Sequence, residues 1–134
     1  MKQTAVVILL LAGLMLGCSK PQEQQPQKQI HPDVEVLENM RQHGSDMSRP
    51  HPIDYYLYFP VEEQARAAAS SLQGVGYDIL RVEVGAGADG KWLVLAQKTL
   101  VPSAEDVIAS TDQMEALAAR HGGEFDGWEA PILR

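Results

Sequence analysis

A single cysteine, Cys18, among 134 residues excludes a disulfide framework and a cysteine-rich zinc site. Basic residues are also scarce. Eleven Lys and Arg stand against eighteen Asp and Glu, giving a formal charge of −7 at pH 7. Such a surface repels phosphate, which argues against a direct nucleic-acid binder. The four histidines, His31, His43, His51 and His121, form neither an H-x-x-x-H nor an H-E-x-x-H spacing. Two precede prolines, and two stand near expected helix C-termini, where the helix dipole accounts for them. Ser45 and Ser103 lack a recognisable base. No catalytic residue, metal ligand or cofactor motif emerges, so no enzymatic activity is expected. What remains is close to an average folded composition, with 45% hydrophobic and 22% charged residues. That length and composition suit one domain.

The longest apolar run, Ala5 to Leu16, is interrupted only by Gly13. As a helix it would rise about 18 Å, against a hydrocarbon core of about 30 Å. It follows a short basic start at Lys2 and has the length of a signal-peptide core. Leu14-Met15-Leu16-Gly17-Cys18 resembles a bacterial lipoprotein signal. That resemblance implies cleavage before Cys18 and a lipid on its thiol. Ser19 to Gln29, SKPQEQQPQKQ, carries nothing that could bury surface against chain entropy, and so reads as a tether. The expected organisation is a signal peptide over 1–17, a tether over 18–31 and a globular domain over 32–134. The expected location is the cell envelope, lipid-anchored to a membrane. Ser19 after Cys18 favours the outer membrane if the host has one.

Periodicity resolves the rest. Pro32 can open a helix with Asp33, Glu35 and Glu38 near its positive end. Val34, Leu37 and the Arg41 stem share a face, and Gly44 caps it. Ser45 to Pro52 reads as a loop. Ile53 to Phe59 alternates as a strand. Pro60 opens a second helix with an apolar stripe of Ala65, Ala68, Ala69 and Leu72. Strands follow over Tyr77 to Val84 and Lys91 to Lys98. The linker between them, Gly85 to Gly90, fits G-x-G-x-x-G literally. A strand rather than a helix follows it, however, so no helix N-terminus is present to hold a pyrophosphate. Ser103 to Asp106 is a capping box. Val107, Thr111, Met114, Leu117 and Ala118 face inward, while Glu105, Asp112, Gln113 and Arg120 face water. Gly122-Gly123 ends that helix. Glu124 to Trp128 is a last strand with a bulge at Gly127.

After the first helix the order is βαββαβ. The fold class is therefore α+β, a ferredoxin-like sandwich with an extra N-terminal helix. Its sheet has one face under helices and one open face. With Tyr55 and Leu57 toward the helices, Tyr56 and Tyr58 lie on the open face. They form either a partner patch or a small cluster covered by the N-terminal helix. An RNA-recognition platform shares this strand order, but its third strand carries base-stacking aromatics that LVLAQK lacks.

Several segments are similar to the family of the regulator of ribonuclease E activity B. They are Gly44-Ser45-Asp46, Tyr56 to Pro60, Gly76-Tyr77 and above all Lys98 to Trp128, closing on Asp126-Gly127-Trp128. The resemblance implies a non-enzymatic, RraB-like protein-binding domain. It names ribonuclease E as a partner if the domain is cytoplasmic, with a consequence for RNA turnover. A lipid anchor would instead place the domain against an envelope protein. In either case the acidic surface calls for a protein partner with a basic patch. Tyr56, Tyr58, Asp126 and Trp128 are the candidate contact residues. Gly44-Ser45-Asp46 and Asp126-Gly127-Trp128 also have purely structural readings, a helix cap with a turn and a bulge with a packed indole.

Overall fold

The computed structural model describes Gly17 and residues 29–87 and 89–134. Cys18, the apolar run before it and most of the glutamine-rich segment lie outside the described residues. The elements are α1 (Pro32–Gln42), β1 (His51–Phe59), α2 (Glu62–Gly74), β2 (Asp78–Val84), β3 (Trp92–Leu100), α3 (Ala104–Arg120) and β4 (Glu124–Glu129). The sheet order is β2-β3-β1-β4, with every neighbouring pair antiparallel. Each β-α-β unit thus leaves room for one strand between its own two. That is the ferredoxin-like arrangement expected, with α1 added. No described helix is long and apolar enough to cross a membrane.

β1 organises the core. His51, Ile53, Tyr55, Leu57 and Phe59 are fully buried, alternating with half-buried Pro52, Asp54, Tyr56 and Tyr58. The buried set meets Ala65, Ala68, Ala69 and Leu72 of α2 and Val107, Met114, Leu117 and Ala118 of α3. Both helical stripes are therefore as the spacing required, and the small alanines let α2 lie close to the sheet. Tyr77, just before β2, packs edge-on against Tyr55 with ring centroids 5.5 Å apart. At the start of α3, Ser103 Oγ accepts the Asp106 amide at 3.1 Å while its hydroxyl donates to the Asp106 carboxylate. Gly123 has no room for a side chain, since a Cβ would run into the Phe59 ring and the Tyr58 carbonyl. This close approach lets the chain leave α3 directly beside β1.

Several expectations need correction: β3 runs over Trp92–Leu100 rather than Lys91 to Lys98, and α2 opens at Glu62 after Val61 rather than at Pro60. β1 starts at His51, not Ile53. Pro52 is tolerated because β4 pairing reaches only Asp54, so this end of β1 is locally an edge. The buried face of α1 is Asp33, Leu37 and Met40; Val34 is only half-buried, and Arg41 is exposed and paired with Glu38 at 2.6 Å. Finally, α1 does not cover Tyr56 and Tyr58. It packs beside α3 in the helix layer, on the opposite side of the sheet.

Leu117→Ala is expected to cost roughly 2–5 kcal/mol, because Leu117 is 4% exposed at the α3–sheet interface. Asp112→Ala, on the exposed side of the same helix, should change stability by about 0.5 kcal/mol or less. Urea unfolding of both variants checks the face assignment.

Candidate functional site

Residues directly opposite in a sheet share a face, so register maps the open face. Tyr56 pairs with Leu95, Tyr58 with Leu93 and Asp54 with Gln97. Arg81 and Glu83 of β2 stand opposite Leu95 and Leu93. Glu129 and Glu124 of β4 stand opposite Asp54 and Tyr58. Leu93 and Leu95 are 7% and 3% exposed, yet neither belongs to the core cluster under the helices. A small second apolar cluster therefore sits on the open face beside the two tyrosines. The run Trp92-Leu93-Val94-Leu95-Ala96 carried the signal for it: a strand apolar on both sides is buried on both sides.

Around this floor the face is acidic. The Tyr56 hydroxyl donates to Glu129 Oε1 at 2.5 Å, and that bond pushes Tyr56 ionisation up to about 12. Gln97 Nε2 donates to Asp54 at 2.8 Å. Both cations of the face are engaged within it, Arg81 with Glu83 at 3.2 Å and Lys91 with Glu124 at 3.1 Å. At one end a depression of about 290 Å³ lies between Tyr58, Lys91, Glu124, Asp126 and the β2–β3 turn.

The four candidate contact residues separate. Tyr56, Tyr58 and Asp126 border the open face. Asp126 is the extra residue of a bulge: Gly127 pairs with Tyr56 and Phe125 with Leu57, which leaves Asp126 unpaired. Gly127 supports the bulge with φ +134. Trp128 stands opposite Tyr55 and points into the helix layer. Its Nε1 donates to Asp33 Oδ1 at 2.8 Å, tying β4 to α1. Asp33 is 7% exposed, and its other oxygen makes no hydrogen bond. The indole is thus a structural clamp, in line with the packed-indole reading.

The Gly44-Ser45-Asp46 segment has a structural explanation too, and it holds a pair the sequence did not disclose. Ser45 Oγ lies 2.8 Å from His51 Nε2, so Ser45 does have a base beside it. His51 Nδ1 is 2.7 Å from the Arg49 carbonyl, which can only accept. Nδ1 therefore carries a proton, and in the neutral ring Nε2 accepts from the Ser45 hydroxyl. Ser45 Oγ in turn accepts the Leu133 amide at 3.1 Å, and the Asp46 amide donates to the Leu133 carbonyl at 2.6 Å. Ser45 is 6% exposed and His51 is fully buried. The pair fastens the C-terminal segment to the start of β1 and leaves little room for a substrate. Among the described residues, no group of three or more His, Cys, Asp or Glu is placed to hold a metal ion.

The family model RraB, Regulator of ribonuclease activity B, matches residues 31–130, which span every described helix and strand. The chain belongs to this family. A family member named Regulator of ribonuclease activity B, from Actinobacillus succinogenes, is 28% identical over 99 residues. That match covers 70% of this chain and 68% of the relative. The family segments around Gly44 and Asp126 thus coincide with two fastenings, Ser45 to His51 and the C-terminal segment, and Trp128 to α1.

Trp128→Phe removes the only hydrogen bond to the buried Asp33 carboxylate described here. It should cost about 1–3 kcal/mol in urea unfolding. Adding Asp33→Leu should recover part of that loss, because no buried acceptor is then left without a donor.

Proposed function

We propose that this domain regulates a ribonuclease by direct protein contact, with ribonuclease E as the target that the sequence resemblance names. The observation that carries this reading is the family match over the whole folded domain. The acidic charge supports a protein partner with a basic patch over RNA itself, because carboxylates repel the phosphate backbone. The sealed Ser45–His51 pair supports action by binding, since it is built into the fold; a second serine–histidine contact, Ser71 Oγ to His121 Nε2 at 3.1 Å, ties α2 to the C-terminal end of α3. The expected result is slower cleavage of a labelled RNA by purified ribonuclease E when the full chain is added, with the effect weakening as salt rises. Unchanged cleavage at large molar excess would overturn the assignment.

A lipid anchor is the second reading, and it concerns where the domain meets its partner. The apolar run, Gly17 before Cys18 and the glutamine-rich stretch support acylation of Cys18. An anchored domain in the envelope would meet envelope proteins with the same acidic surface. Cells fed a labelled fatty acid should incorporate label into the wild type and not into Cys18→Ser. Equal incorporation would remove the anchor. Protease accessibility in intact and opened cells then reports which side of the membrane the domain occupies.

A further inference from the structure

We propose that the open sheet face is the docking surface, that its occupant is a basic peptide segment of the partner protein, and that the Lys91–Glu124 ion pair is the contact this segment displaces. The partner's identity rests on the ribonuclease reading; the surface and its chemistry do not.

The helices all lie on one side of the sheet, so among the described residues no element covers the other. That other side has an apolar floor, Leu93 and Leu95, flanked by the rings of Tyr56 and Tyr58. Tyrosine faces attract cations, guanidinium most readily. The Tyr56 hydroxyl is committed to Glu129, so the ring is what Tyr56 offers a ligand. Around the rings, carboxylates outnumber cations. Asp54, Asp78, Asp126 and Glu129 make no ion pair among the described residues, while Arg81 and Lys91 are already paired within the face. A surface of this kind selects a partner carrying several positive charges. It disfavours RNA, and also a second copy of this chain, whose own open face is equally acidic.

Lys91 marks where an incoming cation goes. Its ammonium reaches Glu124 across the depression bordered by Tyr58 and Asp126. The pair is solvent-exposed, with side-chain exposures of 44% and 76%, so little holds it against a competing guanidinium. Lys91 therefore acts as a weak internal competitor, and removing it should strengthen binding. Removing a positive charge also makes the whole chain more acidic, so a control of equal charge change elsewhere is required.

The test uses the isotopically labelled full chain and two synthetic peptides, one of alternating Arg and Ala and one of alternating Glu and Ala. Only the Arg peptide should bind. Amide shifts should concentrate on β1, β3, β4 and the β2–β3 turn, and spare the outward faces of α2 and α3. Asp126→Asn with Glu129→Gln should weaken binding about fivefold, while Asp112→Asn with Glu115→Gln on α3, an equal change in charge, should have under half that effect. Lys91→Ala should tighten binding about threefold, and Lys98→Ala should not. Thermal melts confirm that each surface variant remains folded. Equal effects of the two carboxylate pairs, shifts centred on the helices, or no binding of the Arg peptide would each overturn the docking surface. No tightening in Lys91→Ala would overturn the competitor role. Ribonuclease inhibition that survives the Asp126–Glu129 double change would remove this surface and leave the regulatory reading intact. Peptide binding at the face without any ribonuclease inhibition would do the reverse.

Discussion

The alternation along β1 sets what each side of the molecule can be. Every second side chain from His51 to Phe59 is fully buried under the helices. Because side chains on a strand alternate with a period of two, Asp54, Tyr56 and Tyr58 must then face the other way. A one-residue slip would bury Asp54 and expose Ile53, so the core and the acidic face are fixed by the same register. β1 also receives β3 on one side and β4 on the other, which carries its facing onto both neighbours. The apolar floor and its acidic border are thus consequences of the same constraint that packs the helices.

Much of this was legible in the sequence because it depends on local period and punctuation. The alanine stripe of α2, the inward residues of α3, the Ser103 cap and the bulge near Gly127 all rest on spacing within a dozen residues. The element order led directly to the sheet order. What the sequence did not disclose are contacts between distant segments. Asp33 reads as a helix-start acid, and only the approach of β4 turns it into the acceptor for Trp128. Ser45 and His51 are six positions apart across a turn that holds Pro50, so their pairing depends on how that turn folds back. The position of α1 was likewise hidden, because its amphipathic face records that it packs but not against which side of the sheet. Of the contact candidates, Tyr56, Tyr58 and Asp126 reach the open face, and Trp128 does not.

Function and location pull on different parts of the chain. The family relation belongs to the folded domain, residues 31–130. The proposed anchor belongs to the first eighteen residues and concerns where the domain would meet its partner. On the proposed readings, one acidic face would serve in either location, and the anchor would change only the set of partners within its reach.

Both outer strands carry one residue too many. Leu80 is the extra residue on β2, between Ile79 and Arg81, and Asp126 is the extra residue on β4. An interrupted ladder is a poor template for another strand, and bulged edges are one means by which proteins prevent sheets from joining edge to edge. Here both margins are spoiled at once, so sheet growth has no regular start on either side. This is a built-in obstacle to fibrous assembly by edge pairing. A continuous ladder would need Leu80 removed at the β2 margin and Asp126 removed at the β4 margin.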